Sequence, residues 1–446
     1  MQKVIVVHAL DTEGPLHESL DNQFDRIEDL FGIKNLKRTK SNFQKLLNNK
    51  IKLGNGLEKK ISSIFQGHIA ERIDDWSKID NQTEIIYSKK FRDKYVDSYG
   101  GCWKFSWHCM DHINYDYNPR RRTLGYHNIY DYYRKYVDEN KKYGDEIQWH
   151  FHPMSTYNDS HRCATSYFRT PEVFNILTRK VIERNFFPSA YRAGYQVERP
   201  DSNWFLEQWI PFDISNTSIE KNNELDKYLD FKNGRSTNWR NAPNDWSIYN
   251  PSHDDYQEKG NCRRWIGRAL NVLNRFANLT EQEVDKAFKK SIKENKPVLL
   301  GVSGHDWRNL ITEVDHIYSL VTKSSKKFNN AKFEFCTTSD GFRKTIWPNK
   351  KYFEKFNFKI KLNRKPKNDY PNILIENNTG KIFGPQPFFA IKTKSRNFLF
   401  DNLDFINKKK WAYAFRPDTL PIEDVESIGI AANDIYGQTF VRSFII

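Results

Sequence analysis

Two short motifs at the ends of apolar runs hold the residues best suited to chemistry. Behind "VIVVHAL" comes "DTEG", with Asp11 and Glu13 one residue apart, and "EIQWHFHP" sets His150 and His152 at the same spacing. Side chains alternate across a strand, so each pair shares a face. Two close carboxylates drive their pKa values apart unless a cation neutralises them or one keeps its proton. Two imidazoles facing the same way can meet one ion. With Glu13 they form a two-nitrogen, one-oxygen set that leaves a position for water, as in a catalytic zinc site, and cobalt or iron fits the same ligands. The competing reading of residues 11–15 is a polar turn after a buried strand, punctuated by Gly14 and Pro15.

Other histidines rank lower. His108 and His112 have helical spacing but lie in an apparent strand, where four residues span about 13 Å, so they are read as wall residues. His8 faces away from Asp11 by parity, and His161 in "YNDSHRC" is a candidate lining residue. A metal-bound water needs a base, for which Asp11 is placed, and collapse of the intermediate needs an acid, for which His305 in "SGHDW" is the candidate, with Asp306 to orient it. Arg192 in "YRAGY" would hold the base ionised through a charge-assisted bond; its alternative is a surface salt bridge.

These residues need strands to position them. Strand one is read over about Val4 to Leu10, followed to about residue 95 by polar sequence with short helical patterns such as "SNFQKLLNNKI" and "LEKKISSIF". "CWKFSWHCMDH" and "EIQWHFHP" read as further strands, separated by a helix through Ile129, Tyr133 and Val137. "RTPEVFNILTRKVIERN" predicts a helix with Thr170 as N-cap and Pro171 at its first position, and Thr280 to Glu283 forms a capping box before a helix that feeds the strand "VLLGVSGHDW". Strands alternating with helices imply a parallel sheet or barrel covered by helices. In barrels chemistry collects at the C-terminal strand ends, where Asp11, Glu13, His150, His152, Arg192 and His305 all fall. After about residue 350 short strand-like runs with Asn, Gly and Pro between them predict a small all-β, sandwich-like module.

Composition narrows the function classes. The chain has 446 residues, enough for two or three domains or one large α/β barrel with an addition. Its formal net charge of +15 favours anionic partners. The runs "KNLKRTK", "PRRRTLG" and "NRKPKND" are short, read as solvated faces, and come with no nucleic-acid-binding motif, so nucleic acid is not expected as a partner. Five cysteines without CxxC spacing indicate reduced thiols. The first apolar run is too short for a signal sequence and no stretch has the length of a membrane span, so a cytoplasmic protein is expected.

The ordered motifs "DTEG", "EIQWHFHPM", "FPSAYRAGY", "PFDIS", "VSGHDW" and "FEFCTTSDGFR" resemble the polysaccharide deacetylase superfamily with the NodB homology domain, in particular members with Asp-x-Glu and His-x-His-Pro motifs. Most of the superfamily has Asp where Glu13 stands and spaces its histidines four apart. The resemblance spans residues 1–350, with insertions near 15–95 and 215–275, and leaves 351–446 as the β-rich domain. It implies a distorted (β/α) barrel of about seven strands that removes N- or O-acetyl groups from sugars with a divalent metal, most simply zinc. It further implies Asp11 as base, Glu13, His150 and His152 as metal ligands, Arg192 as partner of the base and His305 as acid. By the same resemblance Tyr195 is an oxyanion donor through its backbone N–H, and Asp213 borders the cleft.

The expected substrate is a carbohydrate in a surface-glycan or polysaccharide precursor, nucleotide- or lipid-linked, and a lipid-linked substrate would bring a +15 protein to an anionic leaflet. Two rival readings remain open from sequence. One is a carbohydrate-binding protein without catalysis, using some of the 12 Trp and 23 Tyr. The other is a metal-dependent hydrolase of another amide or of a glycosidic bond, the latter needing two unliganded carboxylates across the cleft.

Overall fold

The computed structural model describes residues 2–65, 71–112, 127–154, 166–220, 239–274, 277–350, 353–367 and 369–446. His161 lies outside them. Eight parallel strands form the first unit: β1 (Lys3–Thr12), β2 (Phe105–His112), β3 (Glu146–His152), β4 (Ala190–Ala193), β5 (Phe212–Asn216), β6 (Trp265–Asn271), β7 (Pro297–His305) and β8 (Phe333–Cys336). Their order is β2-β3-β4-β5-β6-β7-β1-β8, and pairing of β1 with β2 closes a barrel of seven strands. β1 serves two neighbours on one flank: Val4–Val7 pair with β8 and His8–Thr12 with β2. Asp97 bridges the fork, accepting from the N–H groups of Phe335 and Gly101 at 3.0 and 2.9 Å. β6 lies within the stretch 215–275 set aside as an insertion from sequence.

Alternation decides what fills the barrel. Ile5, Val7 and Ala9 point inward with Ala190, Phe212, Ile214, Ala269 and Leu299 to make an apolar lower core. Phe342, from the helix Thr338–Ile346, plugs its base and stacks on Phe212 with centroids 4.8 Å apart. Truncating such a buried phenylalanine to alanine costs ~3–5 kcal/mol. The next inward positions up these strands are Asp11, His150, Arg192 and His305, so one alternation builds the apolar floor and the polar top. The outward residues Val4, Val6, Leu10, Trp107 and Leu300 pack under the surrounding helices.

Helices Leu20–Phe31, Lys40–Leu47 and Leu57–Phe65 follow β1 and share a satellite core of Phe24, Ile27, Phe43, Leu46 and Ile61. Ser19 and Thr39 cap the first two through side-chain oxygens. Thr170 does not cap the helix Glu172–Arg184 as predicted. Its hydroxyl donates to the Ser166 carbonyl at 2.6 Å and accepts from the Met154 N–H at 2.9 Å, which moves Pro171 to the cap position. Thr280 does cap its helix, but the Glu283 carboxylate is drawn to Arg268 at 2.6 Å, so only half of the capping box forms.

The second unit is a sandwich of two antiparallel four-stranded sheets. One, in the order β13-β14-β10-β9, has β9 (Asn357–Asn363), β10 (Asn372–Thr379), β13 (Asp404–Asn407) and β14 (Lys410–Ala414). The other, β12-β11-β15-β16, has β11 (Phe388–Thr393), β12 (Phe398–Asp401), β15 (Val425–Asn433) and β16 (Thr439–Ile445). Phe389 and Ile391 point into the sandwich core with Ile373, Trp411 and Ile428. Phe388 and Ala390, on the opposite face, pack against Leu177, Val181 and Trp209 of the barrel's helices. Asn433 fixes this junction by donating to the carbonyls of Pro188 and Trp209 at 2.7 and 2.9 Å. Among the described residues no helix is long and apolar enough to cross a membrane.

Candidate metal centre

β1 and β3 bring Glu13, His150 and His152 together, all three buried. Glu13 Oε1 lies 3.3 Å from the Nε2 atoms of both histidines, and the two Nε2 atoms are 2.8 Å apart. Ligand bonds of about 2.0–2.1 Å in a tetrahedral site put neighbouring ligand atoms about 3.3 Å apart, so the triangle has the size a zinc-like ion needs. The donor chemistry agrees. His150 Nδ1 faces the Arg192 carbonyl at 3.1 Å, and a carbonyl only accepts, so the proton sits on Nδ1 and Nε2 presents its lone pair. A lone pair, a carboxylate oxygen and a second imidazole nitrogen converging on one point make a site that attracts a cation. These residues can therefore hold a divalent metal ion.

Asp306 and Trp307 position Glu13. The Asp306 carboxylate is fully buried and accepts from the N–H groups of Glu13 and Gly14 at 2.9 Å each, and from the Tyr133 hydroxyl at 2.9 Å. That fixes the end of "DTEG" where Gly14 turns the chain with φ 70°, against Ile129 and Trp76. Trp307 donates its indole N–H to Glu13 Oε2 at 3.0 Å, leaving Oε1 for the histidines. The Arg72 guanidinium covers the indole 4.7 Å from its centroid.

Asp11 stands beside the ligands as the expected base. Arg192 donates to it from two nitrogens, Nε to Oδ1 at 2.6 Å and Nη2 to Oδ2 at 3.1 Å, and its third arm donates to the Ile214 carbonyl at 2.8 Å. Burial alone would raise the Asp11 pKa, but the Arg192 guanidinium, with His150 and His305, outweighs it and holds the carboxyl well below its usual range. Asp11 is therefore ionised and fixed. His305, opposite it in register, puts Nε2 3.9 Å from Asp11 Oδ2 and is partly exposed. Burial pushes its imidazole well below the ordinary histidine value, against the pull of Asp11.

Tyr195 follows β4 in a left-handed conformation, φ 55°, and Gln196 repeats it at φ 60°. Two such non-glycine residues in succession are strained and mark a sharp, over-determined turn. The preceding Gly194 leaves no room for a Cβ, which would come within 2.6 Å of the Phe151 carbonyl oxygen, so the turn closes onto His152 and the Tyr195 ring meets that imidazole edge-on at 4.6 Å. His112, beside His152 in register, stacks on it with centroids 5.1 Å apart, a wall residue as expected. His108 sits deeper, 3.2 Å from Thr338 Oγ1, and burial pushes its pKa down to about 3.

The structure does not bring two of the expected residues to these roles. Asp213 points out of the barrel, because its neighbours Phe212 and Ile214 point in. It accepts from the Arg264 Nη1 at 2.7 Å, and Arg264 also donates to both oxygens of the buried Glu198. Asp306, expected to orient His305, is committed to the "DTEG" backbone. Trp307 and Tyr133 were not singled out from sequence; the signal for Trp307 was its parity with His305, two residues away at a strand end.

No family model, curated protein or solved structure matches this chain. The likeness to polysaccharide deacetylases thus rests on the motifs, and the chemistry on the geometry.

Proposed function

We propose that the chain is a divalent-metal-dependent hydrolase that removes acetyl groups from a saccharide, in a precursor of a surface glycan or polysaccharide. The observation that carries this reading is the meeting of Glu13 Oε1, His150 Nε2 and His152 Nε2 within 3.3 Å, beside a carboxylate clamped by Arg192. A divalent ion, most simply zinc, supplies polarisation of the acyl carbonyl and a water of lowered pKa when bound there. Asp11 takes the proton of the attacking water on a carboxylate oxygen. Arg192 keeps that oxygen ionised and aimed before the attack, and His305, whose Nε2 lies 3.9 Å from Asp11 Oδ2, takes the proton over from Asp11 and gives it to the leaving nitrogen or oxygen as the C–N or C–O bond breaks. Acetate and the free amine or hydroxyl are the products.

A saccharide fits the surroundings. Two residues past His152, Met154 is hydrogen-bonded to Ser166 and Thr170, and the loop between them holds Phe168 74% exposed. Phe168, Trp204 and the stacked His253 ring form an aromatic row with spacings of 5.7 and 5.5 Å, the kind of face on which sugar rings pack. A reducing, cytoplasmic setting goes with the free thiols of Cys102, Cys109, Cys262 and Cys336.

The test is acetate release from N- and O-acetylated sugars by metal-loaded protein. Asp11→Asn should abolish turnover and keep the metal, and His305→Ala should lose roughly 10²- to 10⁴-fold. Full activity in Asp11→Asn would overturn the assigned roles. Metal-loaded protein that binds such glycans but releases no acetate would turn the reading to a carbohydrate-binding protein.

A further inference from the structure

We propose that the β13–β14 hairpin and the outer face of its sheet dock on an anionic lipid bilayer. β13 is the edge strand of its sheet, and all four of its residues are exposed. Phe405 is 58% and Ile406 52% exposed, a large apolar pair left in water. Phe405 is opposite Trp411, whose side chain enters the sandwich core, and the register shift between Phe405 and Asn407 makes Ile406 the extra residue of a bulge at this edge. The edge thus offers two adjacent apolar side chains to its surroundings. β12, joined to β13 by two residues, is the edge of the other sheet on the same flank and adds Leu399, 41% exposed.

Charge says what covers this edge. The turn after β13 is Lys408-Lys409, both exposed, followed by Lys410 at the start of β14. Across the same outer face, Glu376 lies opposite Lys410 and Lys359, and Lys359 and Lys361 of β9 are exposed. Glu376 and Asp404 are the acidic groups facing these five lysines on these strands. Large apolar side chains rimmed by lysines match the two layers of an anionic interface, acyl chains below and phosphates above. A second copy pairing on the same edge would bring its lysines against these, which is how edge strands are protected from self-pairing. With no spanning helix among the described residues, the association is peripheral.

Vesicle co-sedimentation at 0.15 M salt tests this with the full chain. Wild type should sediment with vesicles of phosphatidylcholine and phosphatidylglycerol in about 3:1 ratio and stay free with pure phosphatidylcholine. Lys408→Gln, Lys409→Gln and Lys410→Gln together should lower partitioning on the order of 100-fold, and Phe405→Ser with Ile406→Ser at least tenfold. All of these residues are exposed except Lys410, which is half-buried and 4.0 Å from Glu376, and both sets should leave the thermal melt nearly unchanged, which separates loss of binding from loss of fold. Lys289→Gln, Lys293→Gln and Lys296→Gln, on the barrel, remove the same charge and should leave sedimentation nearly intact. Equal loss in that control, no sedimentation of wild type, or a concentration-dependent dimer abolished by the Phe405/Ile406 variant without vesicle binding would each overturn the proposal.

Discussion

Asp306→Asn isolates the residue that holds Glu13 in place. The carboxylate gives one oxygen to the Glu13 N–H and the other to the Gly14 N–H and the Tyr133 hydroxyl, all at 2.9 Å, with no exposed surface. An asparagine amide has the same shape but one oxygen. Whichever way it turns, an NH2 group faces one of the two backbone N–H groups, which then stays buried without an acceptor. Leaving a buried group unsatisfied costs ~1–3 kcal/mol, and loss of charge assistance in the surviving bonds adds to it, for a destabilisation of ~2–4 kcal/mol. The same change loosens the Glu13 backbone, and outer partners of metal ligands are worth about 10- to 100-fold in affinity. Urea denaturation reads the first effect and chelator competition for zinc the second. Lost stability with zinc affinity unchanged within a factor of about two would refute the view that Asp306 positions a ligand.

Other consequences are equally open to measurement. Arg192→Lys removes the two-pronged clamp on Asp11 and should lower acetate release at least about 100-fold while zinc content stays at the wild-type level; retained turnover would mean that the clamp is structural only. His8 and His108 are buried and held down to about 3 by burial. When unfolded they protonate near 6.5, so between those values the unfolded chain binds more protons and stability drops by ~1.4 kcal/mol for each unit the pH is lowered, for each histidine. His8 packs against Trp103 and Phe105, and His8→Leu should make stability between pH 6 and 4 measurably less steep in denaturant titrations; an unaltered slope would contradict its neutral burial.

Period two made much of this site legible. Asp11 with Glu13, and His150 with His152, could be assigned to common faces before any fold was known, because a strand leaves only two directions for a side chain. The same rule, applied to the apolar neighbours Phe212 and Ile214, would have turned Asp213 outward; the motif likeness suggested otherwise. Asp306 follows His305 directly and so turns away from it, toward the Glu13 and Gly14 N–H groups just past β1, which are remote in sequence. β6 was hidden because "WIGRALN" carries the buried Arg268, whose guanidinium is accommodated by Glu283 and the face of Trp246. β9 and β15, "NFKIKLN" and "VESIGIAAN", carry a weak strand signal because the first is half lysine on its exposed face and the second is diluted by Gly429 and alanines. The helix cap at Thr170 failed for a similar reason, since its hydroxyl is claimed by Ser166 and Met154.

Every role proposed for this site depends on Glu13, His150 and His152 holding one divalent ion. Elemental mass spectrometry of the purified protein beside His150→Ala and His152→Ala tests it most directly. About one zinc-like ion per chain in wild type, lost in both variants, is the predicted result. A wild-type chain that takes up no ion after loading with zinc, cobalt or iron, or variants that keep a full complement, would contradict it.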